Sequence, residues 1–186
     1  MSINVKLDGT KVVTGKVRFS YLHVFEPQSI NGSEPKYSVS LIIPKSDKET
    51  IKAIEKAIDN ATEAGKSSKF GGRVPSNLKT PLRDGDEDRP DDENYADSYF
   101  INANCKTKPG LVYKNGAPIE DELDLYSGCY GRASITFYAF NTNGNKGIAC
   151  GLNHLMKLDD GESLGGRVSA ERDFEDFIED EEDIFS

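Results

Sequence analysis

Apolar and polar positions alternate along most of this chain, and the period changes only once. Residues 11–25, "KVVTGKVRFSYLHVF", put Val13, Val17 and Phe19 on one face and Lys16, Arg18 and Ser20 on the other. A period of two marks a strand with one side buried. Residues 36–43, "KYSVSLII", repeat it, with Tyr37, Val39, Leu41 and Ile43 opposed to Lys36, Ser38 and Ser40. Further runs lie at 98–106 ("SYFINANCK"), 130–140 ("YGRASITFYAF") and 146–158 ("KGIACGLNHLMKL"). In the clearest of them, Ala133, Ile135, Phe137 and Ala139 form one face. Tyr130, Arg132, Ser134, Thr136 and Tyr138 form the other.

The exception is "SDKETIKAIEKAIDNATEAG", where Ile51, Ile54, Ile58 and Ala61 recur at helical spacing. Ser46 followed by Glu49 has the spacing of a capping box, and Gly65 suits a helix stop. Asn115-Gly116 signals a hairpin turn. Residues 66–97 are rich in Gly, Pro and charge and read as a long loop, either wrapped on the body or mobile. Five or six strands joined by short turns, with one inserted helix, predict a mainly β chain. The expected architecture is an OB-fold-like small antiparallel barrel over residues 1–160, with a linker and a disordered acidic tail over 161–186. A β-sandwich is the alternative. A doubly wound parallel sheet is excluded, because it needs helices between its strands.

Charge changes this picture more than composition does. The chain carries −9 overall, but residues 171–186 alone carry −8 and residues 84–97 carry −7, so the remainder is at +6. A mildly basic body with acidic appendages suits an anionic partner better than the total suggests. No run approaches the roughly 20 apolar residues of a membrane span. The opening "MSINVKLDGTKVV" lacks a signal-peptide core, which points to the cytoplasm and away from membranes. Three cysteines (Cys105, Cys129, Cys150) without CxxC spacing read as reduced thiols, not as a disulfide or zinc framework.

Candidate chemistry is sparse. Asp84, Asp86 and Asp88 imitate the start of a calcium loop, but Arg89 and Tyr95 stand where Gly and a bidentate Glu belong. His23 and His154 lie in no catalytic signature, and "GKSSKFGGRV" lacks P-loop spacing. No metal, cofactor or catalytic residue is expected. The polar strand faces are more informative. Tyr130, Arg132 and Tyr138 share one face; Lys16, Arg18 and Lys36 lie on others; Lys106, Lys108, Tyr113 and Lys114 cluster at the hairpin. Cations interleaved with aromatics can neutralise phosphates and stack on bases. The same tyrosines can instead cap the core with their hydroxyls at the surface. The candidate DNA-binding set is therefore Lys16, Arg18, Lys36, Lys106, Tyr113, Lys114, Tyr130, Arg132 and Tyr138.

Seven segments, in order, resemble a family of bacteriophage single-stranded-DNA-binding proteins long classed as phage proteins of unknown function. They are "TGKVRFSYLHVFEP", "PKYSVSLIIPKSDKETI", "LKTPLRDGDE", "YFINANCKTKPGLV", "YSGCYGRASITFYAF", "NKGIACGLNHLMKLDDGESLGG" and the acidic, aromatic end. The resemblance implies an OB-fold and non-catalytic, sequence-independent coating of single-stranded DNA in phage replication or recombination, in the host cytoplasm. It also implies that the tail, through Phe177, Asp183, Ile184 and Phe185, recruits replication or recombination proteins. A homodimer is compatible with it. Two readings from other classes remain: a metal-dependent nuclease or recombination enzyme using the 84–97 carboxylates, and a pure protein-interaction module.

Overall fold

A computed structural model describes residues 4–29, 32 and 34–164. Its strands are β1 (Lys6–Asp8), β2 (Lys11–Val13), β3 (Val17–Gln28), β4 (Lys36–Pro44), β5 (Leu82–Asp84), β6 (Ser98–Cys105), β7 (Gly110–Tyr113), β8 (Tyr130–Thr142) and β9 (Asn145–Asp159). Five of these close a ring in the order β3-β4-β6-β9-β8 and back to β3. All pairings around the ring are antiparallel except β6 with β9, which meet in parallel at Asn104 and Gly151. This is the expected OB-fold-like barrel, and closure leaves its central strands without free edges. β1 and β2 extend it beside β8, β5 adds to β6, and β7 runs parallel to β9.

The barrel is filled from inside by Phe19, Leu41, Ile43, Ile101, Ala133, Ile135, Phe137, Cys150 and Leu155. Alternation predicts most of this set, but two breaks in phase do not show in the sequence. The 11–25 run is two strands, not one. Thr14, Gly15 and Lys16 interrupt it, so Val12 is buried in place of Val13. The second break is a bulge after Ser20, which moves the inward side from Phe19 to Val24. One extra residue in a strand reverses which face every later side chain takes.

The helix α1 (Lys48–Ser68) closes one end of the barrel with Ile51, Ile54, Ala57, Ile58 and Ala61. Its N-cap is Asp47, not the expected Ser46. The Asp47 carboxylate accepts the Thr50 N–H at 3.2 Å and the Thr50 hydroxyl at 2.7 Å, while Glu49 reaches the Asn4 amide. Gly65 is not the stop; the helix runs past it. A Cβ at Gly65 would lie 2.2 Å from that of Ala139, so glycine lets α1 approach β8 closely. The 66–97 stretch does wrap the body, but with structure of its own: β5, a one-turn helix α2 (Gly85–Asp88) and a 3-10 turn (Glu93–Tyr95). A second small core of Ile42, Tyr95 and Phe100 lies beneath it, on the outside of the barrel.

Candidate nucleic-acid interface

The start of β3 and the start of β8 are paired, with Arg18 opposite Tyr130. This register brings a ring close to two cations. The Lys16 ammonium lies 5.2 Å and the Arg18 guanidinium 5.4 Å from the Tyr130 ring centre. Arg18 is held by carbonyls, donating from Nε to Gly128 at 3.0 Å and from Nη2 to Glu162 at 2.8 Å. Lys16 forms an ion pair with Asp159. That pair, with Lys114 nearby, holds the Asp159 carboxyl below the usual carboxylate range. The hairpin carrying Tyr113, Lys114 and Asn115 faces Lys157–Asp160 across a depression of about 440 Å³. The Tyr113 hydroxyl donates to Asp124. Lys16, Arg18, Tyr113, Lys114 and Tyr130 thus gather at one end of the barrel.

Lys36 and Lys106 sit at the other end. Lys36 pairs with Gln28, the last residue of β3, and Tyr37 with Cys105, next to Lys106. Lys106 pairs with Glu34 at 3.2 Å, and Lys108 lies 5.6 Å from the Phe25 ring centre. Arg132 and Tyr138 share the outward side of β8 but serve it differently. Arg132 Nη1 donates to the Asn4 and Thr14 carbonyls at 2.5 and 3.1 Å, tying the N-terminal segment to the barrel. Tyr138 is 47% exposed, on the far half of β8. The tail residues Phe177, Asp183, Ile184 and Phe185 lie outside the described residues.

The acidic 84–97 segment is organised by its own carboxylates. Asp84 caps α2 through the Asp86 N–H at 2.9 Å, and Asp92 caps the 3-10 turn through the Asn94 N–H at 3.0 Å. Lys45 Nζ bridges Asp84 and Asp86 at 3.0 and 2.8 Å. These hydrogen bonds raise the Lys45 pKa well above the ordinary lysine value and hold Asp86 low. Among the described residues, no three His, Cys, Asp or Glu side chains converge as metal ligands. Its lone cation, Arg89, turns inward and lies over the rings of Tyr21, Tyr95 and Phe100, at 5.2, 4.6 and 4.8 Å.

Sequence reasoning missed this cluster. A single arginine among eight acids, with a tyrosine six residues on, was its only trace.

Residues 10–185 match the model of the family described as "Enterobacter phage Enc34, ssDNA-binding protein". The chain belongs to this family. The single-stranded-DNA-binding protein of bacteriophage Enc34, solved in complex with ssDNA, superposes with a TM-score of 0.77 at 26% identity, over 89% of this chain and 96% of that one. A protein named p50, from Acyrthosiphon pisum secondary endosymbiont phage 1, is 29% identical over 93% of this chain and 97% of its own length. The single-stranded-DNA-binding protein gp2.5 of bacteriophage T7 shares the fold, with a TM-score of 0.60 at 15% identity, over 92% of this chain and 96% of that one. No helix among the described residues is long and apolar enough to cross a membrane.

Proposed function

We propose that this member of the Enc34 family binds and protects single-stranded DNA, largely independently of sequence, and performs no chemistry on it. One observation carries the reading: an Enc34 relative that matches nearly the whole chain was solved with ssDNA bound. The basic–aromatic groups on the barrel support it. Lys16, Arg18 and Lys114 supply positive charge beside Tyr130 and Tyr113 at one end, and Lys36 and Lys106 supply it at the other. Cations along a groove neutralise phosphates, and tyrosine rings accept any base by stacking. Arg132 takes a positioning role on this surface, and Tyr138 is an outlying stacking ring. The setting is phage DNA replication or recombination. The tail segment 171–186, at −8, competes with DNA for the basic groups and, once displaced, offers Phe177, Ile184 and Phe185 beside Asp183 to partner proteins.

The test is fluorescence anisotropy with labelled single-stranded and duplex oligonucleotides across a salt series. Single strands should bind more tightly, with a log–log salt slope of about −0.7 per phosphate neutralised and little dependence on base composition. Equal affinity for duplex at matched salt would count against the reading. So would loss of full-length oligonucleotide during incubation with magnesium.

A further inference from the structure

We propose that Tyr21 and the cavity beside it form a nucleobase-binding subsite midway along the barrel. The proposal rests on the single-strand reading above and adds a residue that reading did not contain. Tyr21 is 56% exposed, yet it sits inside a strand. Its backbone takes φ +46, a left-handed value that a bulky aromatic rarely adopts. Strain of this kind persists only where surrounding structure enforces it, and it concentrates at binding sites.

The enforcement is visible. In the bulge after Ser20, the Leu22 N–H leaves the strand ladder and donates to the Ser127 hydroxyl at 2.9 Å. The Gly128 N–H donates to the Phe19 carbonyl at 2.7 Å, and the Phe19 N–H to the Cys129 carbonyl at 2.9 Å. Loop 126–129 thus clamps the bulge on both sides. The result turns the Tyr21 ring outward over the Arg89 guanidinium. Arg89 in turn rests on Tyr95 and Phe100, themselves in edge-to-face contact with centres 5.1 Å apart. A ring backed by such a stack is held in place before a ligand arrives, which lowers the entropy lost on stacking.

A cavity of about 300 Å³ opens beside this ring, lined among others by His23, Asp92, Asn94 and Ser127. Its volume lies at the small end of ligand sites and suits a single base. The chemistry of its lining favours a base and not a phosphate. Asp92 presents a carboxylate and Asn94 an amide. These can meet base-edge donors and acceptors, while the carboxylate repels the backbone. Phosphates have cations on either side: along β3, Tyr21 lies between Arg18 and the Gln28 end, where Lys36 pairs. A strand following β3 would pass from one basic group to the other and place a base on Tyr21 between them.

The test uses the full chain with oligo(dT) and mixed-sequence single strands. Tyr21→Gly relieves the positive φ and removes the ring, so the fold should hold its melting temperature while affinity drops about tenfold or more. Tyr21→Phe should bind within about twofold of wild type. The chain has no tryptophan, so Tyr21→Trp gives a single reporter whose emission should be quenched on saturation with DNA. Wild-type affinity in Tyr21→Gly, or unchanged emission from Tyr21→Trp at saturation, would overturn the subsite alone. A wild-type protein that binds no single strand would overturn the reading beneath it.

Discussion

Two outer faces of the same barrel have opposite fates. At the start of β3 and β8, Lys16 and Arg18 flank an aromatic ring, and their opposing charge is mainly the pair with Asp159. On β4 and β6, the outward residues Ile42, which pairs with Arg18, and Phe100 are closed over by a segment that brings Tyr95 as apolar cover and carboxylates as its surface. In OB-folds the face of the second and third strands is a common nucleic-acid platform. Here β4 and β6 hold those places in the ring, and the chain has covered half of that platform itself. The uncovered half keeps Lys36, Asn102 and Lys106 exposed. Strand sequence alone does not decide which face can take DNA; what lies over each face does.

The comparison breaks most forcefully at Tyr95. Its ring is buried, packs on Phe100, and donates its hydroxyl to Ser40 Oγ at 3.2 Å. Tyr95→Ala should cost about 3 kcal/mol or more in denaturant unfolding, because it leaves a cavity between the segment and the barrel. The cover itself should loosen, read as faster amide exchange over 85–97 while the barrel stays protected.

The open face is tested by Tyr130→Ala, expected to weaken single-strand binding by about 1–3 kcal/mol without comparable loss of stability. Arg18→Ala should weaken it too and flatten the salt slope by about 0.7. The slope separates the two roles: truncating the ring should leave it unchanged. If Tyr130→Ala and Arg18→Ala both bind like wild type, the two faces are not distinguished as proposed. Deleting 171–186 should tighten binding modestly, and mainly at low salt, where its charge is least screened. Ile184→Ala with Phe185→Ala should leave that affinity nearly unchanged and abolish partner capture in pull-downs.

These sites were unequally legible in the sequence. Alternation located the main ring strands and the inward side of β8, because a period of two survives wherever a strand is regular. It failed where the strand is interrupted, at Thr14–Lys16 and at Tyr21. The shift at Tyr21 depends on hydrogen bonds to loop 126–129, and the break at Thr14–Lys16 is held by bonds to Ala133 and Thr50; no local pattern records either. Lys16, Arg18 and Tyr130 were found as members of polar faces, but their meeting needs the β3–β8 register. Arg132 has the same pattern and a different use: like Arg18 it donates to backbone carbonyls, but those of residues 4 and 14, which tie the N-terminal segment to the barrel. The 84–97 run read as solvated loop because its composition is acidic. Asp84 and Asp92 act as caps, and Lys45, in sequence forty residues away, supplies the countercharge.

That countercharge gives the smallest effect and the subtlest contrast between the two faces. Asp86 accepts hydrogen bonds from Lys45 Nζ and from the Asp97 N–H, so its carboxyl titrates lower in the folded chain than in the unfolded one. A group whose pKa is depressed by folding stabilises the fold above its unfolded value, and the contribution disappears as pH falls through the folded one. Lowering the pH below about 4 should therefore release the 84–97 cover locally before the barrel unfolds. The readout is amide exchange at 85–97 against that of β8, measured down to pH 3. Asp159 is depressed in the same direction by Lys16, so the open face should lose its own ion pair over the same range. Asp86→Asn should bring the exchange of the segment at pH 6 close to its wild-type behaviour at low pH and leave β8 untouched. Lys45→Met should do the same, since it removes the shared partner of Asp84 and Asp86. Both variants act at a partly exposed surface cluster, where salt and water weaken the interaction, so global stability should move little. Exchange at 85–97 that is indifferent to pH and to both substitutions would show that the apolar contacts of Tyr95 hold the cover unaided.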